Sequence, residues 1–144
     1  MKKRKSTTKI IIHCTATKET QDITTDTIRR WHVVERGWAD IGYHYIVRLD
    51  GTVEKGRSEE LQGAHTKGQN SCSIGVAYVG GCDDNLNPKD TRNKAQKEAL
   101  RILAGTHLNE ARLPNEGKFV YATDLITSIG RCIFEKDFIC IQQD

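Results

Sequence analysis

Apolar residues along the chain change their spacing several times, and each change predicts an element. Lys9 to Cys14 carries Ile10, Ile11 and Ile12 as a continuous β-branched run, too short for a helix, and predicts a strand buried on both faces with His13 at its far end. Thr24, Thr25 and Asp26 supply capping side chains before Ile28, Trp31 and Val34 at helical spacing, with Gly37 as the stop. A first helix is therefore predicted from about Thr25 to Arg36. Tyr43 to Leu49 alternates, Asp50-Gly51 reads as a two-residue turn, and Thr52 to Glu54 returns, which predicts a β-hairpin. Ser73 to Val79 is another apolar strand, ended by Gly80-Gly81. From Asp90 onward Ala95, Ala99, Ile102 and Leu103 share one face, so a second helix should run to about residue 110, and Lys118 to Ile126 has the pattern of a last strand. This order predicts an α/β fold: a single domain with a central mixed β-sheet flanked by helices.

Composition narrows the picture without changing it. A chain of 144 residues, 37% apolar and 28% charged, suits one domain spanning 1–144, large enough to bury roughly two thirds of its unfolded surface. The net charge of +3 is too small to require a nucleic-acid partner. Its densest basic cluster, Lys2 to Lys5, reads as part of a flexible basic arm over residues 1–8. The apolar run after that arm is too short for a signal-peptide core, and no membrane span is present. Synthesis in the cytoplasm is therefore expected, and a monomer. Five cysteines (Cys14, Cys72, Cys82, Cys132 and Cys140) form an odd set with no CxxC pair, which suits reduced thiols better than a disulfide framework.

A histidine at a strand end is ordinarily a packed or surface residue, but His13 begins an ordered series. Cys14-Thr15-Ala16-Thr17 follows it, then Trp31-His32, Gly37-Trp38, Gly42-Tyr43-His44-Tyr45 and Asp50-Gly51-Thr52-Val53. Gly56-Arg57, Gly63-Ala64-His65, Gly68, Asn70, Ser73-Ile74-Gly75-Val76 and Val79-Gly80-Gly81 continue it. Over residues 9 to 103 this series resembles the N-acetylmuramoyl-L-alanine amidases of the amidase-2 type, the family of small phage lysozymes and peptidoglycan recognition proteins. The resemblance implies a zinc-dependent peptidoglycan hydrolase that reaches the cell wall after lysis or assisted export. In that family two histidines and a cysteine hold one zinc, and the first histidine matches His13. Tyr43 matches the catalytic tyrosine, whose phenol would stabilise the oxyanion of the cleaved amide. His65, Thr66 and Asn70 look like the substrate-binding groove wall, and His44 is read as structural.

Residues 104–144 diverge from the family pattern. The expected Gly-His or Ala-His, with Cys-Pro eight residues later, is absent, and His107, the only later histidine, falls within the second predicted helix. Counting back eight from Cys132 reaches Asp124, which gives a variant zinc site of His13, Asp124 and Cys132, all acceptable ligand types. The competing readings are a tail produced by an altered reading of the gene, or a peptidoglycan-binding recognition module that has lost zinc and catalysis. The apolar residues of the tail, Ile129, Ile133, Phe134, Phe138 and Ile141, should pack back on the domain or on a partner chain.

Overall fold

The computed structural model describes residues 1–107, 120–121 and 139–142. Three parallel strands form the middle of a six-stranded mixed sheet: β3 (Tyr45–Val47), β5 (Ser73–Tyr78) and β1 (Lys9–Cys14), with β5 in the centre of the three. Antiparallel strands extend both sides, β4 (Val53–Lys55) on β3, and β8 (Ile139–Gln142) then β7 (Val120–Tyr121) beyond β1. A separate parallel pair joins β2 (Thr17–Lys18) to β6 (Gly81–Cys82). The continuous apolar runs of β1 and β5 follow from this placement. A central parallel strand is covered on both faces, so neither face is selected for polar residues.

Helix α2 (Lys94–His107) buries Ala99, Leu100, Leu103 and Ala104 against Ile10, Ile12, Ile74, Val76 and Tyr78. On the other face Ile23, Ile28, Ile41, Tyr43, Ile46, Ala77 and Val79 pack together beneath α1 (Thr25–Arg30). The Thr24 side chain caps α1 by accepting from Thr27 N–H at 3.1 Å, as expected from its sequence. The helix does not run regularly to Arg36. Trp31–Glu35 is a π-helical turn, ended by Gly37 at φ +73°, and this widening turns His32 inward, where it is 3% exposed.

The hairpin turn is also longer than the predicted two residues. Arg48 N–H donates to Thr52 O at 2.8 Å, leaving Leu49, Asp50 and Gly51 as a three-residue loop with Gly51 at φ +86°. The expected flexible arm over residues 1–8 lies instead along the loop before β5. Arg4 and Lys5 donate to the carbonyls of Glu60 and Ser71 at 2.8 Å, Gln62 donates to Lys2 O at 2.8 Å, and Lys3 bridges Leu61. Basic composition marks this stretch as solvated. It does not reveal that the backbone groups pair with that loop.

Of the final-strand prediction, residues 120–121 form β7, and Ile141 of the apolar tail lies in β8, paired with Ile10. No helix among the described residues is long and apolar enough to cross a membrane.

Candidate active site

Four backbone segments converge on the α1 face of the sheet. His13 is the penultimate residue of β1, opposite Ala77 of β5. The segment before β3 brings Tyr43, the loop before β5 brings His65 and Thr66, and β5 opens with Ser73. His13 and Tyr43 do not come from adjacent strands, because β5 lies between β1 and β3. Their rings nevertheless meet, with centroids 5.3 Å apart; the β5 residue opposite His13 is the small Ala77, which packs in the same cluster as Tyr43. His13 is fully buried and Tyr43 is 4% exposed, so in this structure the pair is sealed from solvent and not open to a cleft.

His65 and Thr66, expected along a groove wall, are also fully buried, and they face His13. His65 Nδ1 lies 2.9 Å from His13 Nε2, and Thr66 Oγ1 lies 3.1 Å from His65 Nδ1. Asn70 acts on the backbone: its Oδ1 accepts from the N–H groups of His65 and Thr66 at 3.1 and 3.0 Å, closing the loop that delivers them. The structure thus unites His13, Tyr43, His65 and Thr66, with Asn70 as the brace behind them. Asp124 and Cys132 lie outside the described residues.

Two glycines make the room for His65. A Cβ on Gly75 would stand 2.5 Å from His65 Cγ, and one on Gly63 would stand 2.5 Å from its Cδ2. Gly75→Ala should therefore expel the ring or force β5 aside, with an expected loss of about 1–3 kcal/mol as an overpacked core substitution. The check is a lowered urea midpoint at unchanged m-value, and a midpoint equal to wild type would show that the slot is not rigid.

His44 is structural, as read. Its Nδ1 accepts from Gly75 N–H at 3.0 Å and its Nε2 donates to Leu61 O at 2.8 Å, which fixes one neutral tautomer. Three further residues stand in the motif series without an assigned role. His32 Nδ1 accepts from Gly42 N–H at 2.9 Å, and its ring lies 5.6 Å from that of Tyr43. Arg57 is 6% exposed and donates to the carbonyls of Ile41, Gln62 and Asp40 at 2.8, 2.7 and 3.0 Å. One guanidinium thus ties the segment before Tyr43 to the loop that leads to His65. A buried arginine with carbonyl acceptors could have been suspected from Gly56-Arg57, but not its partners. Ser73 is the third such residue, and its contacts appear below.

The electrostatics favour neutral imidazoles throughout. Burial pushes the pKa of His13 down to about 3. For His32 burial, joined by Arg36 and Arg57, lowers it to about 4, and for His65 burial, His13, His44 and Arg57 hold it well below the usual range. Neutral imidazole is the form that ligates metals and accepts hydrogen bonds. His107, at the end of α2, is used elsewhere: its Nε2 meets Glu59 Oε1 at 2.5 Å beside Tyr45.

This geometry belongs to a known fold. The family of N-acetylmuramoyl-L-alanine amidases, amidase-2 type, matches residues 3–131, and the chain is a member of it. An endolysin of Klebsiella phage KP32 is 52% identical over 101 residues, covering 70% of this chain and 66% of the relative, so the match spans just under two thirds of that protein. Among solved structures, the N-acetylmuramoyl-L-alanine amidase LysC from Clostridium intestinale superposes with a TM-score of 0.59 at 28% identity, over 73% of this chain and 62% of that one. Peptidoglycan-recognition protein-LE, solved in complex with tracheal cytotoxin, a monomeric diaminopimelic acid-type peptidoglycan, gives 0.54 at 27% identity, over 74% and 61%.

Proposed function

We propose that this protein is a peptidoglycan hydrolase, a zinc-dependent amidase that cleaves the bond between N-acetylmuramic acid and L-alanine. The observation that carries the reading is the meeting of His13 and Tyr43, rings 5.3 Å apart, in a chain of the amidase-2 family. The phage relative, an endolysin, supports action on the cell wall.

The donor chemistry at His13 fits zinc, since an imidazole with a pKa of about 3 offers a nitrogen lone pair at any ordinary pH. Among the described residues no three His, Cys, Asp or Glu side chains are grouped so as to hold a metal ion, so we assign the other ligands to the C-terminal part, with Asp124 and Cys132 as the candidates. When bound, the metal would supply a water whose pKa is lowered to about 7. The chain's own residues do the rest. Tyr43 donates its phenolic proton as a hydrogen bond to the carbonyl oxygen that gains charge, in a surrounding poor in competing water. His32 and Arg57 hold the Asp40–Gly42 segment, so Tyr43 is presented without reorganisation.

The missing Gly-His and Cys-Pro motifs favour a second reading, a binding module without hydrolysis. Metal analysis of protein purified without chelator separates the two. Near-stoichiometric zinc, and wall hydrolysis that is lost on chelation and restored by zinc, would support the amidase. Retention on purified walls with neither zinc nor product would overturn it in favour of the module. Asp124→Ala and Cys132→Ser should each lower zinc content if the candidate ligands are right.

A further inference from the structure

We infer that Ser73 and His65 are positioning residues that fix the tautomer of His13, and so decide which of its ring nitrogens is offered to a metal. The inference extends the zinc reading above, but the proton assignments rest on hydrogen bonds alone.

The carbonyl oxygen of Gln69 can only accept, and at 2.6 Å it takes the single hydroxyl proton of Ser73. Ser73 Oγ, 3.3 Å from His65 Nε2, must then accept at that contact, which places the proton of neutral His65 on Nε2. His65 Nδ1 is left as an acceptor, and 2.9 Å away it faces His13 Nε2. An unprotonated Nε2 on His13 would set two lone pairs against each other at that distance, in a site closed to water. The Thr66 hydroxyl leads to the same result. Lying 3.1 Å from His65 Nδ1 and 3.4 Å from His13 Nε2, it can donate to the first and accept from the second, and His13 Nε2 remains a donor. A neutral imidazole has one ring proton, so Nδ1 of His13 carries the lone pair.

The device is built into the sheet. Gly63 and Gly75 form the slot for the His65 ring, and Asn70 pins the backbone on which it stands. His65 thereby takes the place that a carboxylate or backbone carbonyl often fills behind a metal-binding histidine, where it fixes tautomer and ring orientation. This also accounts for a fully buried, conformationally costly imidazole in a loop expected to face a polymer.

The test uses the full chain, metal-free, with 15N-labelled histidine. Long-range 1H–15N correlation distinguishes protonated from unprotonated ring nitrogens, and both His13 and His65 should carry their proton on Nε2. A proton on Nδ1 of His13 would overturn the inference. Zinc titration then supplies the second measurement. His65→Ala should weaken zinc binding by roughly 10- to 100-fold. His65→Asn, whose side-chain oxygen can accept near the position of Nδ1, should recover most of that loss, and Ser73→Ala should leave His65 in mixed tautomers. Zinc affinity within twofold of wild type in both His65→Ala and Ser73→Ala would sink the positioning role. The assigned tautomers in a wild-type protein that takes up no zinc would overturn the metalloenzyme reading and leave the tautomer assignment standing.

Discussion

Tyr43→Phe should retain zinc and lose roughly 10²- to 10³-fold in kcat on cell-wall substrate, whereas His13→Ala should lose both zinc and turnover. The two residues touch, yet they serve different steps. Removing the phenolic oxygen deletes one hydrogen-bond donor to a developing oxyanion, an effect of about 2.7–4 kcal/mol in a preorganised site. The ring remains, so its packing against His13 and His32 at 5.3 and 5.6 Å remains too, and the fold should not suffer. Removing His13 leaves the sheet without the donor that the zinc reading requires. Steady-state kinetics and metal analysis on the same preparations decide the matter. A kcat within threefold of wild type for Tyr43→Phe would remove the phenol from the mechanism, and KM rising with kcat unchanged would recast it as a substrate contact.

Much of this site was legible in the sequence because its parts are short and local. The isoleucine run fixed β1 and put His13 at its end, and Gly42-Tyr43-His44-Tyr45 marked the entry to a strand. What could not be read was the third dimension of the loop from residue 56 to 72. Gly63-Ala64-His65-Thr66 looks like a solvated turn by composition, yet the glycines at 63 and 75 empty a slot that draws His65 under the surface. That contact spans 52 residues between His65 and His13 and leaves no period in the sequence. The π-turn at Trp31–Glu35 escaped for a related reason. Its apolar spacing is helical, and only the inward His32, bonded to Gly42, requires the extra width.

The buried histidines should make the metal-free protein unusually sensitive to mild acid. His13, His32, His44 and His65 all have folded-state pKa values lowered from the ordinary 6.5, chiefly by burial, with His13 near 3 and His32 near 4. The unfolded chain therefore binds protons, beginning near pH 6.5, that the folded chain refuses, and stability must fall as pH drops through that range. The stabilising contribution is complete above pH 6.5 and is lost progressively toward the folded-state values. Each histidine of this kind adds a slope approaching about 1.4 kcal/mol per pH unit, so two acting fully would remove about 3 kcal/mol between pH 6.5 and 5. Carboxylates with lowered pKa values, such as Asp50 and Asp90, titrate beneath that window and do not contribute to it. Urea midpoints of chelated protein at pH 7, 6 and 5 measure the slope directly. His32→Asn keeps an oxygen to accept from Gly42 N–H but cannot be protonated, so it should flatten the profile by up to one histidine's share. A profile flat from pH 7 to 5 in the wild type would mean that these rings open to solvent and charge in the folded state, and that the sealed arrangement of His13 and Tyr43 does not persist in solution.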